Sequence, residues 1–415
     1  MINYMIRISA KTEDYNKSVA DILGYTFVFS AGTYVAKSIV IGLGAPQLEL
    51  FASLLIYIGW FWILGKFLLE NYSILPRIIL VEVLFWGILY VSISRFPETE
   101  TIFNEYIMFL RRVSLVFIPC GVICARCTDF EGIFLRARKY AYFGSILIAV
   151  SFIVGGMASI DYQSLGLYVT PFFLILYINF LRNKTVLTTL MLVVDAVFAL
   201  AGGRQCFIIL LLGVVFIYLF ENRKKPMKIV VALIVALIII LFLLLMLEPL
   251  LKVLITLVNE MGLDDYMLSM LANGELFSTS TRDIIYESSA QIIKTNGYYL
   301  SGFFGSIYKI RAMYSWIAYP HNIIYDFLID FGTILGGILL LLILYKLLRQ
   351  IMGGDSERRL VLIFLADIAI VRLMVSSNYL IEGPFYILLI MLFSSTSMKR
   401  RFKVKRSLDS NEYFK

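Results

Sequence analysis

The chain has 415 residues, of which 60% are hydrophobic and 16% charged, against about 25% charged in an ordinary soluble domain. That composition excludes a soluble globular protein and points to a bilayer. The net charge of +8 does not imply a nucleic-acid partner, because most Lys and Arg residues lie in short loops between apolar runs, where they set membrane orientation.

Residues Met1 to Lys17 are polar and charged and show no small-residue cleavage pattern, which argues against a removable signal peptide. Apolar runs then follow at 20–44, 48–69, 76–94, 105–124, 140–158, 166–182, 185–201, 205–220, 229–248, 323–348, 360–377 and 380–397. A hydrocarbon core of about 30 Å needs roughly 20 apolar residues per helix, so the runs predict an all-α polytopic membrane protein of about twelve spans. They are continuous rather than alternating, which removes a β-barrel. The first and fourth runs are the weakest, since they contain Lys37 and Arg111 with Arg112. The residues read as one membrane domain, 1–415, with no internal repeat and no low-complexity linker.

Positive segments resist translocation, so basic loops are expected on the cytoplasmic side. With twelve spans, the clusters at Arg136, Arg138 and Lys139, at Arg182 and Lys184, at 223–225, at Arg358 and Arg359, and at 398–406 all fall on that side. Both termini are then cytoplasmic, and the one long polar stretch, 249–322 between the ninth and tenth spans, becomes an external loop subdomain.

Within this loop, 250–271 carries apolar residues at helical spacing and is expected to lie on the membrane surface. A second helix is expected over 281–293, with Ser280 or Thr281 as cap and Asp283 in the first turn, where the helix dipole favours an anion. Glycines at 297 and 302 to 305 are turn material. Gly332, Gly336 and Gly337 suit close helix packing in the tenth span. The four cysteines, Cys120, Cys124, Cys127 and Cys206, lie in or beside apolar runs and form no disulfide framework. Cys124 and Cys127 have the C-x-x-C spacing, but no His or second Cys pair accompanies them.

Ionisable groups inside spans cost several kcal/mol unless paired or wet, so they are candidates for function. The expected topology places Arg204, Arg372, Lys37, Arg111 and Arg112 near the outer surface, together with His321 and Arg282 from the loop. The acids at that level are Asp195, Asp326, Asp367 and Glu382. A cationic cavity at headgroup depth suits a lipid-linked phosphate, for which the planar guanidinium of Arg is the better clamp. The plainer readings are that Lys37, Arg111 and Arg112 snorkel to headgroups, that Arg372 pairs with Asp367, and that Arg282 sits on a solvated face. His321 is the only histidine and the only side chain with an unperturbed pKa near neutrality.

These motifs resemble those of the bacterial O-antigen ligase and polymerase superfamily, the membrane glycosyltransferases of the Wzy and WaaL type. The resemblance covers the span layout and is sharpest from Thr281 to Gly337: Arg282, the 302–305 turn, and Tyr319-Pro320-His321-Asn322 followed by the apolar run to Gly332. Gly202-Gly203-Arg204 looks like the family's arginine turn. Tyr286 stands where that family often has tryptophan.

The resemblance implies a GT-C-like fold in the bacterial inner membrane, with the active site facing outward. It implies metal-independent transfer without a cofactor, whereas the residues alone leave a metal open, since Asp264, Asp265 and Asp283 lie in the loop, where a solvated face is their plainer reading. His321 would be the catalytic base, and Arg204, Arg282 and Arg372 would hold the pyrophosphate of an undecaprenyl-linked donor. A second lipid-linked repeat unit would be the acceptor, making the chain an O-antigen or capsule polymerase working beside a flippase and a chain-length regulator. A ligase acting on lipid A core or protein uses the same donor head and is the first alternative. A lipid-linked oligosaccharide transporter is the alternative from another class.

Overall fold

The computed structural model describes residues 2–155, 162–201, 204–230, 255–256, 281–353 and 355–394, with side chains from residue 14 onward except at 155, 162, 163, 200, 201, 204, 281 and 296. Every regular element among them is helical, as a hydrocarbon solvent requires, because only helices and closed barrels satisfy all backbone polar groups internally.

In chain order the helices are α1 (Ile2–Gly42), α2 (Glu49–Glu70), α3 (Leu75–Arg95), α4 (Glu100–Arg112), α5 (Ile118–Arg126), α6 (Ile133–Gly155), α7 (Tyr162–Arg182), α8 (Val186–Ala201) and α9 (Arg204–Asn222). Further along the chain come α10 (Thr281–Asn296), α11 (Gly305–Met313), α12 (Ile323–Asp330), α13 (Gly332–Gly353), α14 (Ser356–Ala366), α15 (Arg372–Val375) and α16 (Gly383–Phe393).

Eight stretches among the described residues are long and apolar enough to cross a membrane: Asp14–Gly42, Pro46–Glu70, Tyr72–Arg95, Pro97–Arg126, Ile133–Val154, Ser164–Arg182, Gln205–Asn222 and Gly332–Gly353. The seventh and twelfth expected spans appear as shorter apolar helices, Val186–Ala199 and Gly383–Phe393. The eleventh is divided by a π turn, Asp367–Val371. The ninth, and the surface helix expected over 250–271, lie outside the described residues apart from 229–230 and 255–256.

Burial separates the helices into an inner and an outer set. The apolar window of Asp14–Gly42 is 72% buried, whereas that of Pro46–Glu70 is 11% buried. The outer helices present Leu50, Trp62, Leu69, Ile79, Leu84 and Val91 outward, an arrangement that only a lipid solvent makes stable. α1 packs along α6, and α5 packs along α16. α4 and α5 are joined by a π turn, Val113–Phe117, which widens the helix and turns polar groups sideways. The Leu115 carbonyl accepts from Trp60 Nε1 at 3.0 Å, and Ser114 Oγ accepts from Trp86 Nε1 at 3.0 Å while bonding Glu82.

The tenth expected span does not begin at residue 323. The apolar run breaks between α12 and α13, where Gly332 takes φ +73°, a conformation that costs a residue with a Cβ about 1–2 kcal/mol. The break is held by amides that reach across it: Thr333 N donates to the Gly297 carbonyl at 2.5 Å, and Ser301 N and Gly302 N both donate to the Asp330 carbonyl at 3.0 Å. A Cβ on Gly336 would collide with the Phe327 carbonyl, so the expected close approach is there, but it brings α12 against α13.

α12 therefore belongs with α10 and α11, and the three share a small core of Ile285, Ile292, Ile310, Ile317 and Ile329. This unit is latched to the ends of α3 and α4. Phe303 N donates to Ser92 Oγ at 2.8 Å, Phe304 packs on Phe103 and Tyr106, and Arg311 bonds both oxygens of Glu105 at 2.6 and 3.0 Å.

Its other side is tied to the turn between α15 and α16 by a fully buried network. Asp326 Oδ1 accepts from Ser306 Oγ and Asn378 Nδ2, each at 2.9 Å. Asp330 accepts from Ser306 N at 2.6 Å and from the Tyr379 hydroxyl at 2.7 Å.

Candidate functional site

The segment before α12 sets the geometry. Asn322 caps the helix, its Oδ1 accepting from Ile324 N at 2.9 Å. The preceding residue, His321, is forced to φ +57°, and such strain in a non-glycine residue clusters at functional positions. The Tyr319 ring leans on the imidazole at 4.2 Å between centroids. The imidazole Nδ1 is buried and makes no hydrogen bond.

Burial, and then the nearby Arg282 guanidinium, lower the His321 pKa to about 4. His321 is therefore a neutral imidazole at ordinary pH and a potential proton acceptor. Arg282 stands in the first turn of α10, which is held against α12 by packing of Tyr286 on Tyr325 at 5.4 Å.

On the far side of Tyr319 lies the turn that joins α15 to α16. Tyr319 faces Ser376, Arg372 and Glu382, and burial pushes its phenol pKa up. Ser377 in this turn has φ +68°, a second strained non-glycine residue at the same place. Arg372 Nε lies 2.8 Å from Glu382 Oε2, with the two side chains 19% and 4% exposed. The contact is close but misaligned, since Nε makes no angularly acceptable hydrogen bond; charge rather than hydrogen-bond geometry holds the pair.

Arg112 of α4 acts on the same carboxylate through its charge, without a direct contact. It is braced by α1, where Nη2 donates to the Ser30 carbonyl at 2.5 Å and to Thr33 Oγ1 at 2.6 Å, over the Phe29 ring. A chain of neighbours thus runs from Arg282 through His321 and Tyr319 to Arg372, Glu382 and Arg112. It presents three guanidinium groups and one carboxylate beside a neutral imidazole, which suits an anion with several oxygens and a group able to take a proton.

The candidates from the sequence divide as follows. His321, Arg282 and Arg372 come together. Arg204 opens α9; its side chain, with Gly202 and Gly203, is outside the described residues. The start of α9 is nonetheless beside Arg372, because Cys206 and Ile209 pack with Val371 and Val375.

Arg112 joins the cluster, whereas Arg111 is exposed near Met108 and Lys37 pairs with Glu49 at 3.5 Å on the surface. Arg372 does not pair with Asp367 but with Glu382, which the chain reversal at 376–382 brings back to its level. Asp367 is buried with both carboxylate oxygens unbonded. Asp195 accepts from Ser145 at 2.8 Å, and Asp326 is committed to its network, so neither faces the cations. Asp264 and Asp265 lie outside the described residues, while Asp283 is exposed.

The cysteines are all buried as free thiols. Cys127 Sγ donates to the Asp129 carbonyl at 3.1 Å and lies 3.4 Å from Asn16 Oδ1.

Sequence reasoning assigned no role to Tyr319 or to the Ser376–Ser377 turn, and it placed Glu382 only among the acids at that depth. The signal for Tyr319 was its adjacency to Pro320 and His321. Nothing in the sequence pairs Glu382 with Arg372.

Comparison with protein families, with curated proteins and with solved structures finds no match to this chain.

Proposed function

We propose that the chain is a membrane glycosyltransferase that uses a lipid pyrophosphate-linked glycan donor, with polymerisation of lipid-linked repeat units as its reaction. The observation that carries this reading is the neutral, strained and half-buried His321 beside Arg282, in a cluster whose other members are Arg372, Arg112 and Glu382. On this reading about twelve spans form a GT-C-like frame in the bacterial inner membrane, and the unit built on α10, α11 and α12 faces outward.

Arg282, Arg372 and Arg204 hold the two phosphates, with Arg112 behind them. The acceptor hydroxyl gives its proton to His321 as its oxygen forms a bond to the anomeric carbon. The anomeric C–O bond to phosphate breaks, and its electron pair leaves with the pyrophosphate, whose charge the guanidinium groups stabilise. A single displacement of this kind inverts the anomeric centre. An imidazole with a pKa near 4 is a weak base, and the donor itself corrects this: its phosphate charge offsets Arg282 and raises the basicity of His321 when needed.

The test is to incubate the purified protein in lipid with a short undecaprenyl pyrophosphate oligosaccharide and a chelator, then read product size by mass spectrometry. A ladder of longer lipid-linked glycans is expected, lost in Arg282→Ala and His321→Ala. Product that appears only when lipid A core is added would make the chain a ligase. Labelled substrate that crosses vesicles with its covalent structure unchanged would overturn the transferase reading.

A further inference from the structure

At the opposite end of the bundle, a cleft of about 480 Å³ opens between α1 and the first turns of α6, lined by Lys17, Asp21, Arg136, Arg138, Lys139 and Tyr142. Four cations gather here around Asp21, and Lys17 also lies 3.9 Å from Asp14. Lys139 bonds Asp21 at 2.7 Å and lies 4.8 Å from the Tyr140 ring.

Arg138 rests over Tyr142, 5.9 Å from its centroid, and the Tyr142 hydroxyl is fixed to Thr188 Oγ1 at 2.6 Å. Among the described residues, Arg136 and Arg138 pair with no carboxylate. Arg138 is therefore held on a fixed ring, and Arg136 and Arg138 keep their charge available.

The candidate span Ile133–Val154 carries these residues in its first turns, so they sit at headgroup depth. Directly along the same helix, Leu135, Phe143, Ile146, Val150 and Ile153 form an exposed stripe at spacings of three, four and seven or eight residues, the pattern of one helix face. A basic cleft continuous with an apolar helix face is matched by a molecule with an anionic head and an acyl tail.

We propose that this cleft is a binding site for an anionic phospholipid, with the headgroup phosphate held by Arg136, Arg138 and Lys17 and the acyl chain lying along α6. Basic pockets between transmembrane helices hold anionic headgroups in this way. A free phosphate shares the headgroup chemistry but gains nothing from the stripe. The site is separate from the His321 cluster and stands whether or not the transferase reading holds.

The experiment uses the full-length protein, delipidated in neutral detergent and titrated with phosphatidylglycerol or phosphatidylcholine, with bound lipid counted by native mass spectrometry. One phosphatidylglycerol is expected to bind in preference to phosphatidylcholine. R136Q/R138Q is expected to bind it roughly tenfold to thirtyfold more weakly, and R136K/R138K to restore most of the affinity because charge carries the recognition.

Neither arginine is buried or ion-paired, so the variants fold, and their unfolding midpoint without lipid checks this. Equal phosphatidylglycerol binding by wild type and R136Q/R138Q overturns the site. Displacement of the lipid by millimolar inorganic phosphate overturns its assignment to a lipid.

Discussion

Replacing Glu382 by Gln removes the carboxylate that pairs with Arg372 while keeping side-chain size. Because Glu382 is 4% exposed and Arg372 19% exposed, the substitution leaves a largely buried guanidinium without a counter-charge. Breaking such a pair from one side costs about 3–5 kcal/mol, and the partial exposure of Arg372 places the expectation at the lower end, about 3 kcal/mol.

Arg372→Met costs less, since Arg112 remains to balance the carboxylate. The double substitution Glu382→Gln with Arg372→Met recovers much of the loss, because no uncompensated charge is left inside. The assay is reversible unfolding in mixed micelles for the two single variants and the double. A coupling energy above about 1 kcal/mol is expected for groups in contact. Losses that simply add would mean the pair is not made, and the cation cluster would need another explanation. Inorganic pyrophosphate should stabilise Glu382→Gln more than the wild type, since the variant's cluster carries one more net positive charge.

The pH behaviour of His321 follows from its lowered pKa. Burial and Arg282 depress it from the ordinary 6.5 to about 4, so the unfolded chain binds more protons between those values. The stability linked to His321 is fully present above pH 6.5 and is lost as pH falls through 4, at no more than about 1.4 kcal/mol per pH unit. The difference between wild type and His321→Gln unfolding curves measures it. In kinetics, the acid limb of kcat/KM, which reports the free enzyme, should lie well below pH 6.5; a limb at 6.5 would refute a buried neutral imidazole.

Gly302→Ala introduces a Cβ at φ +72° against the Phe96 ring and Ser92, and should cost about 1–3 kcal/mol. Faster protease cleavage of the unit on α10 to α12 would report the loosened latch. Neighbouring arginines should behave oppositely: Arg111→Ala stays within about 0.5 kcal/mol of wild type. Arg112→Ala costs about 1–3 kcal/mol by stranding the Ser30 carbonyl and Thr33 hydroxyl and lowers transfer, both readable from melting and product yield.

Much of the frame was legible in the sequence because spanning helices are selected by one local property, a continuous apolar run. α10 was expected over 281–293 and runs to Asn296, with Asp283 in its first turn as read. His321 and Arg282 could be singled out because charge in an apolar chain is conspicuous. The start of the tenth span was misplaced because Ile323 to Asp330 is as apolar as the helix that follows. Only the Asp330 carbonyl, taken by two amides, and the backbone of Gly332 distinguish a helix of the α10–α12 unit from the long helix that follows.

By itself, then, the sequence determined a helical membrane protein with one long polar stretch and a few isolated charges in its apolar runs, since hydrophobic runs and isolated charges are properties of residues in order. Which charges meet is a property of angle and depth. Arg111 and Arg112 are adjacent in sequence, yet one faces outward and the other inward, because consecutive helical side chains point about 100° apart. Glu382 rather than Asp367 opposes Arg372, because a strained turn through Ser377 carries it back to the same level. Tertiary structure alone decides such pairings: the energy of a buried charge depends on what stands within a few ångströms of it, and chain order does not encode that distance.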